Sequence, residues 1–112
     1  MASVGFHESP QDLTPGTRDM HRAIVSLMEE LEAIDWYQQR VDATADEALR
    51  EILAHNRDEE KEHASMVLEW IRRHDPAFDM QLKKYLFSTT PITEHADESD
   101  GQQPSGGKRW NG

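Results

Sequence analysis

Residues 58–70 read DEEKEHASMVLEW: four carboxylates and a histidine, followed without a break by an apolar run. Glu60 and His63 stand three apart, and residues three or four apart share a face of an α-helix. On a solvated face such a charge run carries little meaning. On an inward face it needs a partner, because a buried carboxylate is normally paired or bound to a metal. The direction of that face decides both the fold and the chemistry.

Working outward, residues 44–47, TADE, form a capping-box pattern, a Thr hydroxyl with a Glu three residues later. This starts a helix that runs to about His74. Asp75-Pro76 then restarts the chain, since Asp is a good N-cap and Pro is tolerated at the first helical position. Residues 77–87, AFDMQLKKYLF, read as a short third helix. Upstream, residues 17–43 contain no Pro or Gly and form a first long helix. Residues 1–16 carry Gly5, Pro10, Pro15 and Gly16 without a sustained period, so they form a flexible arm with at most a short turn of helix. After Ser88 the composition turns to Thr, Pro, Asp, Gly, Gln and Ser, and residues 93–112 read as a disordered tail. The expected fold class is all-α: an antiparallel two-helix hairpin plus a short C-terminal helix, in one domain over residues 17–92.

Composition narrows the function. The chain has 112 residues, 36% hydrophobic and 30% charged, which suits one helix-rich domain. A net charge of −10 and a pI near 4.9 make nucleic acid and anionic membrane poor partners and cations the natural ones. The absence of cysteine removes disulfides, thiolate metal sites and cysteine nucleophiles together. No apolar run approaches the roughly 18 to 20 residues of a membrane span. Residues 1–20 lack the basic-then-apolar order of a secretory signal, so the protein reads as intracellular.

The helix faces answer the opening question. On the first helix Ala23, Leu27, Glu30, Ile34 and Tyr37 follow a 4-3-4-3 spacing, flanked by Ile24, Met28 and Leu31. Glu30 therefore stands in the middle of an apolar surface. On the second helix Leu49, Ile52 or Leu53, Asn56, Glu60, His63, Val67 and Trp70 form a stripe interrupted by a polar trio. Glu59 and Glu62 fall to either side. Glu60 and His63 sit on the inward side.

Three such residues on facing helices resemble half of a di-iron carboxylate site. The full site in a four-helix bundle takes one Glu from each of two helices and Glu-x-x-His from each of the other two. Glu30 is the lone Glu, and residues 60–63 supply the Glu-x-x-His. Two long helices give three ligands, so a complete site lies on a dimer two-fold. Oxygen-rich ligands with some imidazole suit iron or manganese better than structural zinc. On spacing alone, Glu60 paired with a lysine or arginine and His63 as a satisfied interior histidine remain open, as does a helical dimerisation module. A rubrerythrin-like or haemerythrin-like di-iron protein is a further alternative, although haemerythrin sites use more histidine than these stripes hold. Glu51 and His55 are read as surface, and Met20, Met28, Met66 and Met80 as core filler.

Residues 21–43, HRAIVSLMEELEAIDWYQQRVDA, followed by residues 52–73, ILAHNRDEEKEHASMVLEWIRR, resemble the encapsulated ferritins. YLF-x-x-x-PI over residues 85–92 continues the likeness. The resemblance implies a protomer whose antiparallel dimer recreates a ferritin-like four-helix bundle, with such dimers closing into a ring-shaped decamer. It implies a ferroxidase, oxidising Fe(II) to Fe(III) with dioxygen at a di-iron site between two subunits. The family's centre residues fall on Glu30, Glu60 and His63. Its outer metal-entry site, open to other divalent cations, falls on Glu29 and Glu32, and its neighbouring aromatics on Trp36 and Tyr37. The implied setting is a bacterial or archaeal cytoplasm, inside an encapsulin shell that stores the mineral. One departure stands out: the family's shell-docking peptide resembles Gly-Ser-Leu followed by a basic residue, whereas this chain reads SGGKRWNG over residues 105–112.

Overall fold

In a computed structural model, residues 5–94 are described and form α1 (Pro15–Ala43), α2 (Glu47–His74) and α3 (Pro76–Tyr85), preceded by a 3₁₀ turn, Pro10–Asp12. Among the described residues there is no strand, and no helix is long and apolar enough to cross a membrane. Residues 1–4 of the expected arm, and all of the expected tail beyond Glu94, lie outside the described residues.

α1 begins at Pro15, two residues before the position read from sequence. Thr14 is the reason: its hydroxyl accepts from the Thr17 amide at 3.0 Å, and Pro15 at the first helical position loses no needed N–H. The Arg18 guanidinium then donates to the carbonyls of Pro10 at 2.7 Å and Leu13 at 2.9 Å, holding the 3₁₀ turn against the helix. Phe6 packs its ring 4.4 Å from that of His21.

The capping box expected at residues 44–47 does not form. Thr44 is the C-cap of α1, and Asp46 caps α2, accepting from the Leu49 amide at 2.9 Å. Glu47 pairs with Arg50 instead of reaching back to Thr44. Arg50 also donates to the carbonyls of Val41 at 3.2 Å and Thr44 at 2.5 Å. Carbonyls at a helix C-terminus lack intrahelical partners, and one side chain from the next helix serves them here.

Three loop residues cannot carry the chain far, so α1 and α2 lie antiparallel. Contacts march in step: Val41 with Arg50, Gln38 with Arg57 and Glu30 with His63. Between the helices Met20 and Ile71, each 1% exposed, and Ala64 make up the apolar core among the described residues. This is a thin core for a chain that must offset roughly 1 to 2 kcal/mol of backbone entropy per residue. Leu49, Ile52, Met66 and Trp70, expected on or beside the inward stripe of α2, are exposed, Ile52 and Met66 at 57% each. Met20 is core filler as read from sequence, but Met66 is not.

α3 is capped by Asp75, which accepts from the Phe78 amide at 3.0 Å, with Pro76 at the first position. It ends at Tyr85, short of the expected residue 87, because Leu86 is extended and Phe87 takes a left-handed φ of 61°. An ion-pair network holds α3 on α2. Arg72 makes two parallel bonds to Glu69, at 2.7 and 2.8 Å, and a third to Asp79. Arg73 adds a 2.6 Å bond to Glu69, and Lys83 lies 3.0 Å from Asp79.

Arg72 first, and Arg73 second, hold the Glu69 carboxyl down at about 2, from an ordinary 4.5. Lys83 and then Arg72 lower that of Asp79 as well. A depressed folded-state pKa gives stability that is present above the unfolded value and lost as pH falls through the folded one. Resistance to urea should therefore decline between pH of about 4.5 and about 2. Glu69→Gln should flatten that decline, which urea midpoints measured across the window will show. Parallel curves for the two proteins would remove Glu69 from the acid sensitivity.

Candidate metal centre

Glu30 reaches the centre from α1, and Glu60 and His63 from α2, one turn apart on a single face. Glu30, Glu60 and His63 each offer a ligand atom, and these atoms lie within 4.8 Å of one another. Among the described residues this is the one group of three or more such side chains that does so. His63 Nδ1 is 3.6 Å from a Glu60 oxygen and 3.8 Å from a Glu30 oxygen. Both separations exceed a hydrogen bond.

The arrangement is a half-open cradle with neither carboxylate hydrogen-bonded to the imidazole. Two donors each about 2.1 Å from one ion lie roughly 3.0 to 3.4 Å apart. Side-chain rotations that close the gaps by about an ångström suffice. Two oxygens and a nitrogen fit iron or manganese, and no thiolate is present to favour softer ions. The carboxylates are three-quarters buried, with Glu30 25% and Glu60 24% exposed, whereas the His63 side chain is 42% exposed. His63 is less inward than its stripe suggests.

Sequence reasoning brought exactly these three residues onto facing helices, and the structure brings their ligand atoms together. It does not bring Glu29 or Glu32 to them. Glu29 is exposed and Glu32 half-buried, and among the described residues neither has an ion-pair partner. Helical spacing places Glu29, Glu32 and Trp36 together on another face of α1. Trp36 is exposed beside Gln39, Arg40 and Ala43. Tyr37 is half-buried, with the Arg40 guanidinium 5.4 Å over its ring. His55 lies 2.5 Å from Glu59 rather than beside Glu51, and all three are surface residues.

One contact near the centre escaped the sequence. Arg57 donates to Gln38 of α1 at 2.9 Å and to Asp58 at 3.0 Å, bracing the helices one turn from Glu60. The two residues are 19 apart, and no local period links them.

Residues 5–89 match the model of a protein family described as EncFtn-like. The chain belongs to that family. It is 54% identical over 106 residues to the encapsulated ferritin-like protein of Rhodospirillum rubrum, covering 95% of this chain and 76% of that protein. It is 53% identical over 103 residues to a ferritin-like protein of Thermotoga maritima, covering 91% of this chain and 90% of the relative. The crystal structure of protein ne0167 from Nitrosomonas europaea superposes with a TM-score of 0.76 at 67% identity, covering 79% of this chain and 97% of the other. The fold is thus that of an EncFtn-like, ferritin-like helical protein.

Proposed function

We propose that this EncFtn-like chain is a ferroxidase whose di-iron centre forms between two subunits. The observation that carries the reading is the convergence of Glu30, Glu60 and His63 on a hairpin with little core of its own. A second copy across a two-fold supplies four carboxylates and two imidazoles in all, the ligand set of a ferritin-like bundle. It also covers Leu49, Ile52, Met66 and Trp70, which a lone hairpin leaves in water. Closure of such dimers into a ring-shaped decamer completes the assembly.

The residues share the work. Glu30 and Glu60 hold two Fe(II) ions close together, and their charge favours the ferric state of the product. Each of the two substrate ions would give one electron, so that dioxygen takes two and, with two protons from water, leaves as hydrogen peroxide rather than as a one-electron product. His63 supplies the nitrogen donor. Glu29 and Glu32 gather hydrated Fe(II) or other divalent cations at the mouth, beside Trp36, while Tyr37 adjoins the centre. Purified protein given Fe(II) anaerobically and then air should develop ferric absorbance faster than Fe(II) alone. Equal rates would defeat the reading.

Storage belongs to a container, since an open ring cannot hold mineral. The encapsulated character named for the Rhodospirillum rubrum relative supports an encapsulin shell as partner. Residues 93–112 carry Glu94, Asp97, Glu98 and Asp100 with few apolar groups, a composition suited to a tether. Their deletion should leave Fe(II) oxidation and oligomer mass unchanged while abolishing co-purification with a co-expressed shell. Retained co-purification would move docking to the helical domain.

A further inference from the structure

The Glu60 carboxylate is three-quarters buried, yet among the described residues it has no hydrogen-bond donor. Carboxylates that ligate metals are normally fixed by a further hydrogen bond, and losing that outer partner typically costs 10- to 100-fold in affinity or activity. On a helix the side chains that can reach position 60 stand three or four residues away. Here they are Asn56, Arg57, His63 and Ala64. His63 is itself a ligand in the proposed centre, and Ala64 is a buried methyl group. Arg57 spends its Nε and both terminal nitrogens on Asp58 and Gln38. That leaves Asn56.

Asn56 lies in the apolar stripe of α2, half-buried, and among the described residues its carboxamide has no hydrogen-bond partner. No group of the described chain holds this amide, so it is free to turn toward Glu60, one helical turn away. Glu30 has no equivalent neighbour on α1. Ser26, one turn before it, already donates its hydroxyl to the Arg22 carbonyl at 2.7 Å.

We infer that Asn56 is a positioning residue for the metal centre: its carboxamide N–H donates to the Glu60 carboxylate and fixes the oxygens that face the metal. This rests on the metal-centre reading above. The bond forms when Glu60 turns to meet an ion, and it satisfies both groups at once. The carboxylate lone pairs not used by the metal accept it, and no proton moves.

Co(II) is the probe, added to the full-length protein, with binding and geometry followed by its visible absorption. Asn56→Leu keeps the branched shape with slightly more bulk and suits the apolar stripe, so the apo protein should melt no lower than the parent. Its Co(II) affinity should fall about 10-fold or more, with a changed spectrum. Asn56→Gln keeps the donor and should restore most of both. Asn56→Ala, a good helix former, should behave as Asn56→Leu does where added bulk perturbs packing. Parent-like Co(II) affinity and spectrum in Asn56→Leu and Asn56→Ala overturn the inference. The same result with an altered oligomer mass assigns the amide to assembly instead. His63→Ala, run alongside, separates the two levels: undiminished Co(II) binding there overturns the metal centre itself.

Discussion

Glu30→Ala, Glu60→Ala and His63→Ala should each slow Fe(II) oxidation by on the order of a hundredfold or more. A metal supplies several kcal/mol to the reaction it assists, and about 1.4 kcal/mol corresponds to a factor of ten. In the proposed dimer every substitution removes two ligands from one shared centre, so no intact site remains to mask the loss. The triad is tight enough for each member to count, with ligand atoms within 4.8 Å. Glu32→Ala is the control. Glu32 stands on another face of α1, so its loss should slow iron uptake at low Fe(II) while saturating rates hold. Stopped-flow absorbance across an Fe(II) series separates the two behaviours. A His63→Ala protein that oxidises Fe(II) at the parent rate refutes the assignment of the centre, whatever the other variants do.

The triad was legible because its signal is local to each helix. A Glu within the Ala23, Leu27, Ile34 and Tyr37 stripe, and a Glu-x-x-His within the Leu53, Val67 stripe, show their faces by spacing alone. An Asp75 cap with Pro76 behind it is equally local, and it formed as read. The joint at residues 44–47 was not legible, because Thr44 and Asp46 are both competent caps. The choice depends on Arg50 reaching back to Val41 and Thr44, which no pattern of caps contains. The Arg57–Gln38 brace and the Arg72–Asp79 strut join different helices, and likewise depend on how those helices pack. Met66 illustrates the opposite failure: an apolar residue near an inward stripe was read as filler, yet one chain leaves it exposed. The stripe on α2 is wider than α1 covers, which leaves Leu49, Ile52, Met66 and Trp70 exposed.

In the proposed dimer that uncovered part and the carboxylates beside it should make assembly metal-dependent. Pairing two hairpins through this face buries Leu49, Ile52, Met66 and Trp70, which favours association at about 25 cal/mol per Å² of apolar surface. In the proposed dimer the same step would gather two copies each of Glu30 and Glu60 around the two-fold. Like charges about 4 Å apart repel by roughly 4 kcal/mol at an effective dielectric near 20. Several such pairs oppose the apolar gain, and the net charge of −10 per chain adds to them. Divalent cations reverse the sign of the local term. A ligand present at about 100 times its dissociation constant stabilises the state that binds it by about 2.7 kcal/mol. The apo protein should therefore run mainly as a small species, and Fe(II), Mn(II) or Co(II) should shift it to a larger one. A chelator should return it. Glu60→Gln supplies a test of opposite sign: without the charge, association should increase in the absence of metal and lose its response to added metal. Size-exclusion with light scattering reads all of these masses. One mass distribution for the parent with and without metal, together with an unchanged Glu60→Gln, would leave no place for a metal centre on the two-fold.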